Sequence, residues 1–289
     1  MPTDNFATEL TSLNISYCDL GSQGFEWLGN ALRHNGTITA LNISNNFGGF
    51  GQNGHQDLDG LRAMGFAVQS MKLIRLEIEG NSMFASGGAL FTSFLKNHHT
   101  LKVLRLNAND LGLLPCSRSE SQQPHRLLQF DRASFERIIE HLCTMRHLES
   151  LNMVKNYIDG NQALAMTTTI FRKIPTLKSL CGNTGTEKTL WKNEVCVSDA
   201  IMLAHEIKKN PHLTDLFVNG NYGHCVPPEV LPDGWSGPNV LGQYLYEDHP
   251  TNSLPPDSKP LGTLALAHAL KDKNAITDLN LQLRIDNGC

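Results

Sequence analysis

The residues best placed to do chemistry are a few histidines and cysteines and one glycine-rich run, and their spacing limits what that chemistry could be. His141, Cys143 and His147 lie close together on a helical stretch, and His224 abuts Cys225, which raises the question of a bound metal. A helical metal pair needs ligands four residues apart, whereas the six-residue step from His141 to His147 leans the two rings to different faces. The chain has no Cys-x-x-Cys pair and no His-Glu-x-x-His run, so no metal is expected. Gly48-Gly49-Phe50-Gly51 has the glycines of a phosphate cradle but lacks its Lys and Ser/Thr, and reads as a flexible insertion. A Gly-x-Ser-x-Gly elbow is also missing. These residues predict a chain without catalytic residues and without a cofactor.

Binding chemistry is better supplied, and the elements that position it recur along the chain. Leu101 to Leu111 reads Leu-Lys-Val-Leu-Arg-Leu-Asn-Ala-Asn-Asp-Leu. Its Leu-x-Leu centre alternates as a half-buried strand does, with Lys102, Arg105 and Asn107 turned away from the leucines. Similar strands begin at Leu10, Ile38, Leu73, Leu148, Leu177, Leu213 and Ile276. Between them lie helical spacings such as Phe25, Leu28 and Leu32, apolar on one face. One strand and one helix make one unit, with a basic step of 28 residues from Leu10 to Ile38 and again from Leu73 to Leu101. The unit at Leu177 is damaged, because Cys181 to Gly185 interrupts its strand before the pattern resumes at Leu190. An Asn follows each strand (Asn46, Asn81, Asn109, Asn156, Asn193, Asn221), with Cys18 in its place in the first unit. An amide offers both a donor and an acceptor, so these side chains can satisfy the turn backbone of neighbouring units.

The pattern L-x-x-L-x-L-x-x-N-x-L resembles the leucine-rich repeat. The 28-residue unit with a full helix is similar to the ribonuclease-inhibitor-like class, found in the repeat regions of NOD-like receptors and of the Ran GTPase-activating protein. The resemblance implies an α/β solenoid shaped as a horseshoe. It would have parallel strands on the concave face, helices on the convex face and about eight repeats. It covers nearly all of residues 1–289 as a single domain, with insertions near 47–56, 113–129 and 223–259 on one edge. It implies a recognition or scaffold module in intracellular signalling or innate-immune-type sensing. The rival implication is a GTPase-activating regulator, which would bring an Arg to a bound nucleotide's phosphates.

The partner-binding residues are then those between the strand leucines: Arg75, Glu77, Glu79, Lys102, Arg105, Asn107, Asn152, Lys155, Phe217 and Asn219, flanked by Asn14, Ser16, Asn42, Ser44, Asn280 and Gln282. Glu77 and Glu79 are expected beside Arg105 on the neighbouring strand, and Arg105 and Phe217 are the expected hot spots. Trp235, Tyr244 and Tyr246 lie in the proline-rich third insertion, where they either pin the loop to the array or offer contacts.

Composition narrows the partner class. A net charge of -4 without a basic stripe argues for a protein partner and against nucleic acid. No apolar run approaches the roughly 20 residues of a membrane span, and Met1 to Thr11 shows no secretory leader. With seven scattered cysteines, these features predict a reducing, cytoplasmic setting. Both ends lie close to repeat strands, so self-association through an uncapped end is expected.

Overall fold

A computed structural model of the chain describes residues 10–116, 129–183, 189–193, 197–219, 261–271 and 276–280. Strands and helices alternate throughout: β1 (Ser12–Asn14), α1 (Gly21–Leu32), β2 (Ala40–Asn42), α2 (Asp59–Ser70), β3 (Arg75–Glu77), α3 (Phe84–Phe94), β4 (Val103–Arg105), α4 (Arg132–Leu142), β5 (Ser150–Asn152), α5 (Gly160–Lys173), β6 (Thr189–Asn193), α6 (Val197–Lys209), β7 (Asp215–Asn219), α7 (Leu261–Lys271) and β8 (Asp278–Asn280). Strands β1 to β5 form one parallel sheet in chain order, and β6 to β8 form a second.

Leucine spacing sets the register of the first sheet. Leu13, Leu41, Leu76, Leu104 and Leu151 pair in sequence across it, and the last three are fully buried. The helices return Phe25, Met64, Phe91, Ile138 and Ile170 to the same core. Each buried leucine contributes roughly 1.5–3 kcal/mol relative to exposure, so a repeated column of them holds strand and helix layers together.

The asparagine that follows each strand is buried and links one coil to the next. The backbone N–H of Cys18 donates to Asn46 Oδ1 (2.8 Å), that of Asn46 to Asn81 Oδ1 (3.0 Å), that of Asn81 to Asn109 Oδ1 (2.8 Å) and that of Asn109 to Asn156 Oδ1 (2.9 Å). Each Nδ2 in turn donates to a carbonyl of the preceding coil: Asn46 to Ile15, Asn81 to Ile43, Asn109 to Ile78 and Asn156 to Leu106. The side chain of Asn193 and all of Asn221 lie outside the described residues. Every rung is flanked on both sides by left-handed backbone, as in Ala108 (φ 55) and Asp110 (φ 58) around Asn109, or Lys155 (φ 59) and Tyr157 (φ 50) around Asn156.

The glycine-rich run is packed, not loose. Phe50 is 2% exposed and sits edge-on to Phe84, with ring centroids 5.7 Å apart. Leu113 joins them from the next insertion, and Phe47, Phe130 and Tyr157 close a second, smaller core. Two loops therefore converge on the start of α3. Their carbonyls also satisfy helix N-termini: Ser22 N–H donates to Phe50 O (2.9 Å) and Ala85 N–H to Leu113 O (3.0 Å). Gly49 and Gly112 occupy matching places in these units. A Cβ on either would lie 2.2 Å from a backbone carbonyl, of Ser82 or Tyr157 respectively, so only glycine permits the approach.

The array does not continue as one sheet. The segment at Leu177 bonds to β5 through its backbone, as in Leu151 N–H to Ser179 O and Met153 N–H to Leu180 O, but forms isolated bridges at Ser179 and Cys181 rather than a strand. Where another strand would accept, Glu206 of α6 does so instead. Its buried carboxylate accepts from Leu180 N (2.6 Å), Ser179 Oγ (2.6 Å), Cys181 N and Asn183 Nδ2. Asp199, about two turns earlier on the same face of α6, accepts from the N–H of Lys155 at 3.0 and 3.1 Å. Among the described residues the asparagine ladder reaches no further than Asn156, while the apolar core continues from Phe25 to Ala269.

On the same side of α6, His205 stacks on Phe171 (centroids 4.5 Å apart, 15° between planes) and Lys209 Nζ lies 3.7 Å from that ring's centre. Burial, then the charges of Lys209 and Lys208, push the His205 imidazole down to about 4.

Two outcomes follow. Asn109→Ala leaves the Asn81 amide and the Ile78 carbonyl without partners in a buried turn. Urea unfolding should register a loss of about 2–4 kcal/mol, whereas a loss within about 0.5 kcal/mol would show that the rung is dispensable. His205 is neutral in the fold and would charge below its ordinary value of 6.5 in the unfolded chain, so its contribution is complete above that pH and lost as pH falls toward 4. Because the ring is half-buried, the drop should be about 1–2 kcal/mol after discounting for solvent screening. His205→Phe keeps the stack and should flatten that part of the urea midpoint's pH profile.

Candidate functional site

Alternation along the strands aims every second side chain away from the helices, and the register gathers these into two rows. One row runs Ser12, Ala40, Arg75, Val103, Ser150 and the other Asn14, Asn42, Glu77, Arg105, Asn152. At about 4.8 Å between strands the rows span roughly 19 Å. Charge is confined to β3 and β4, and the flanking positions are small and neutral. Val103, Ala40 and Ser150 belong to this face although attention to residues between the leucines passes over them. The signal is present, since the alternation extends one residue before the central leucine of each strand.

The asparagines of the second row turn inward to the backbone. Asn14 Oδ1 accepts from Ser16 N–H, Asn42 Oδ1 from Ser44 N–H and Asn152 Oδ1 from Val154 N–H. Asn152 is also buried. The expected cross-strand pairing of Glu77 with Arg105 does not form. The Arg75 Nε donates to Glu77 Oε1 on its own strand, because a two-residue step already places them side by side. Arg105 is left half-buried, its Nε without a hydrogen-bond partner among the described residues, and Asn107 Oδ1 is likewise buried and unmatched. Glu79 forms no side-chain bond among the described residues, its backbone N–H going to Ser44 Oγ.

Lys102 lies elsewhere than expected. It stands one residue before β4, on the strand-entry edge, where its Nζ bridges Glu149 (2.9 Å). Lys178 reaches the same carboxylate from the next coil (3.1 Å). Hydrogen bonds from Lys102 and then Lys178 hold the Glu149 carboxyl below its ordinary range. Lys155 sits in the turn after β5, its N–H held by Asp199. Phe217 and Asn219 are on β7, with side chains outside the described residues, as are Gln282, Trp235, Tyr244 and Tyr246.

The histidine cluster is dispersed. His141 is buried between helices with Nδ1 3.1 Å from Thr92 Oγ1, and burial, then Lys96, lowers its pKa. α4 ends at Leu142, so His147 is not on the helix with it; His224 and Cys225 lie outside the described residues. Among the described residues no group of His, Cys, Asp and Glu could hold a metal ion, and no helix is long and apolar enough to cross a membrane. The first coil leaves Tyr17 and Trp27 exposed.

Residues 9–31, covering β1 and nearly all of α1, match the family described as Leucine Rich Repeat. That match, with the alternating helices and parallel strands, supports a leucine-rich-repeat protein with an α/β repeat fold, a fold that typically mediates protein–protein interaction. No curated protein matches the chain.

The open face should contribute little to stability. Glu77→Gln removes an ion pair that is partly solvent-exposed on the Arg75 side, and the urea midpoint should move by less than about 1 kcal/mol. A loss as large as that of a buried leucine would make the face structural.

Proposed function

We propose that this chain is a non-catalytic recognition or scaffold module that grips a protein partner on the outward face of β1 to β5 and on the adjoining insertion edge. In this reading the repeats are of the ribonuclease-inhibitor-like class, curved into a horseshoe of about eight units in one domain, with these strands as the inner wall. The setting is cytoplasmic, in intracellular signalling or innate-immune-type sensing. The observation that carries the reading is the division of labour within each strand. The leucine column is committed to the core, and the side chains of the two rows beside it, polar or charged except at Ala40 and Val103, take no part in that apolar cluster. A preformed sheet holds those rows in register, so little ordering entropy is lost when a partner binds.

The insertion edge supports the same reading. Phe50, Phe84 and Leu113 tie two loops into one body next to the strand ends, which extends the wall without adding a mobile element. Trp235, Tyr244 and Tyr246 would widen that edge.

Affinity capture with cross-linking, read by mass spectrometry, tests this. Partners should be lost from an Ala40→Arg, Val103→Arg double variant, whose new side chains project from the face, and kept by Glu136→Arg on α4. Partners indifferent to the face variant would refute the reading. If instead small GTPases were captured and their GTP hydrolysis accelerated in a manner lost with Arg75→Ala or Arg105→Ala, the activating role would replace it.

A further inference from the structure

Among the described residues, the face carries a cation, Arg105, for which no counter-charge is in place. Arg105 lies opposite Glu77 in register, yet that carboxylate is held by Arg75. No carboxylate among the described residues pairs with Arg105, and its Nε has no acceptor. Taking a charge partly out of water without a counter-charge is unfavourable. A guanidinium with free donors is suited to a planar, two-oxygen acceptor. Two residues along the same strand direction, Asn107 Oδ1 lacks a donor. A carboxylate side chain of an extended segment supplies the missing counter-charge to this half-buried guanidinium.

The surroundings define the segment further. The flanking positions Ser12, Asn14, Ala40, Asn42, Ser150 and Asn152 are small and uncharged, so among the described residues of the two rows the other cation is Arg75, which Glu77 already holds. Glu79, next to Asn107 in the adjoining coil, would repel a second acid there; the Gly80 N–H donates to Asn107 O at 3.1 Å, which fixes that closeness. An isolated acidic residue fits, and an acidic run does not.

We propose that Arg105 is the specificity-determining residue of the face and receives the carboxylate of a single Asp or Glu in an extended peptide segment of the partner. This rests on the reading of β1 to β5 as a recognition surface and states its ligand chemistry.

The test uses the full chain and a displayed library of random linear dodecapeptides, with selected peptides synthesised and titrated by fluorescence polarisation. Peptides displaced by Ala40→Arg should contain an Asp or Glu whose change to Asn or Gln weakens binding by about tenfold or more. That change should have little further effect on Arg105→Gln, and Arg105→Lys should bind with intermediate affinity, because the charge stays and the two-point geometry goes. Urea midpoints within about 0.5 kcal/mol of wild type confirm folding, and if Arg105→Gln does not fold, Arg105→Lys carries the cycle. Peptides that are blocked by Ala40→Arg but lack an acid, or whose acid is uncoupled from Arg105, overturn the proposal and leave the recognition surface standing. Peptides that bind indifferently to Ala40→Arg, or no peptides at all, remove the recognition surface and the proposal with it.

Discussion

Each short strand ends in a turn where backbone amides and carbonyls face the protein interior, and the fold depends on how those groups are satisfied. A three-residue strand cannot supply many ladder bonds, and the turn after it is beyond the reach of water at Asn46, Asn81, Asn109 and Asn156. One carboxamide per coil answers both needs, accepting from the preceding coil and donating to it. The amide also donates within its own coil, as Asn109 does to Leu106, but its bonds to the neighbouring coil mean that no unit is complete alone.

That solution imposes a backbone that side chains dislike. Residues on both sides of every rung have positive φ, including Phe47, Ala108, Lys155 and Tyr157, where a Cβ costs about 1–2 kcal/mol. The surrounding bonds over-determine the conformation and hold it. The same turn aims Phe47, Phe84 and Tyr157 into the small core beneath the loops, so part of what the backbone loses returns as apolar burial. The ladder's two ends differ in kind. Cys18 closes one, at a coil with no described coil before it to receive an amide. At the other, among the described residues, Glu206 and Asp199 present carboxylates to the backbone amides of Leu180 and Lys155.

Much of this was legible in the residues, and the exceptions have physical causes. Leu76, Leu104 and Leu151 declare themselves through alternation, and the ladder asparagines through their fixed offset, because both respond to local geometry. Lys102 was misplaced because a side chain turned away from the leucines can sit on the face or on its edge, and only the true strand limits separate the two. Gly48 to Gly51 suggested looseness, since burial of Phe50 depends on Phe84 and Leu113, which are distant in sequence. Glu206 gave no warning: an acidic residue in a helix ending in two lysines reads as exposed, and its role exists only where the strand at Leu177 fails. The pairing of Arg75 with Glu77 rather than of Glu77 with Arg105 is a competition between neighbours that spacing alone does not decide.

The same competition separates structural from available polarity on the open face. A polar residue there is not automatically a contact, for Asn14, Asn42 and Asn152 return their side chains to their own strands and Arg75 and Glu77 occupy each other. Among the described residues, the charged and amide side chains left over are Arg105 at the end of β4 and Glu79 and Asn107 in the turns after β3 and β4. A buried polar atom without a partner is unfavourable in the free protein by about 1–3 kcal/mol, and evolutionary persistence need not be invoked to see the consequence. On the proposed reading, a partner that brings a counter-charge to Arg105 gains from it, whereas one that covers Arg105 with apolar surface deepens the deficit. On the proposed reading, selectivity on this face originates in the charge the repeat leaves unpaired at its centre, while the ladder and leucines hold that centre still.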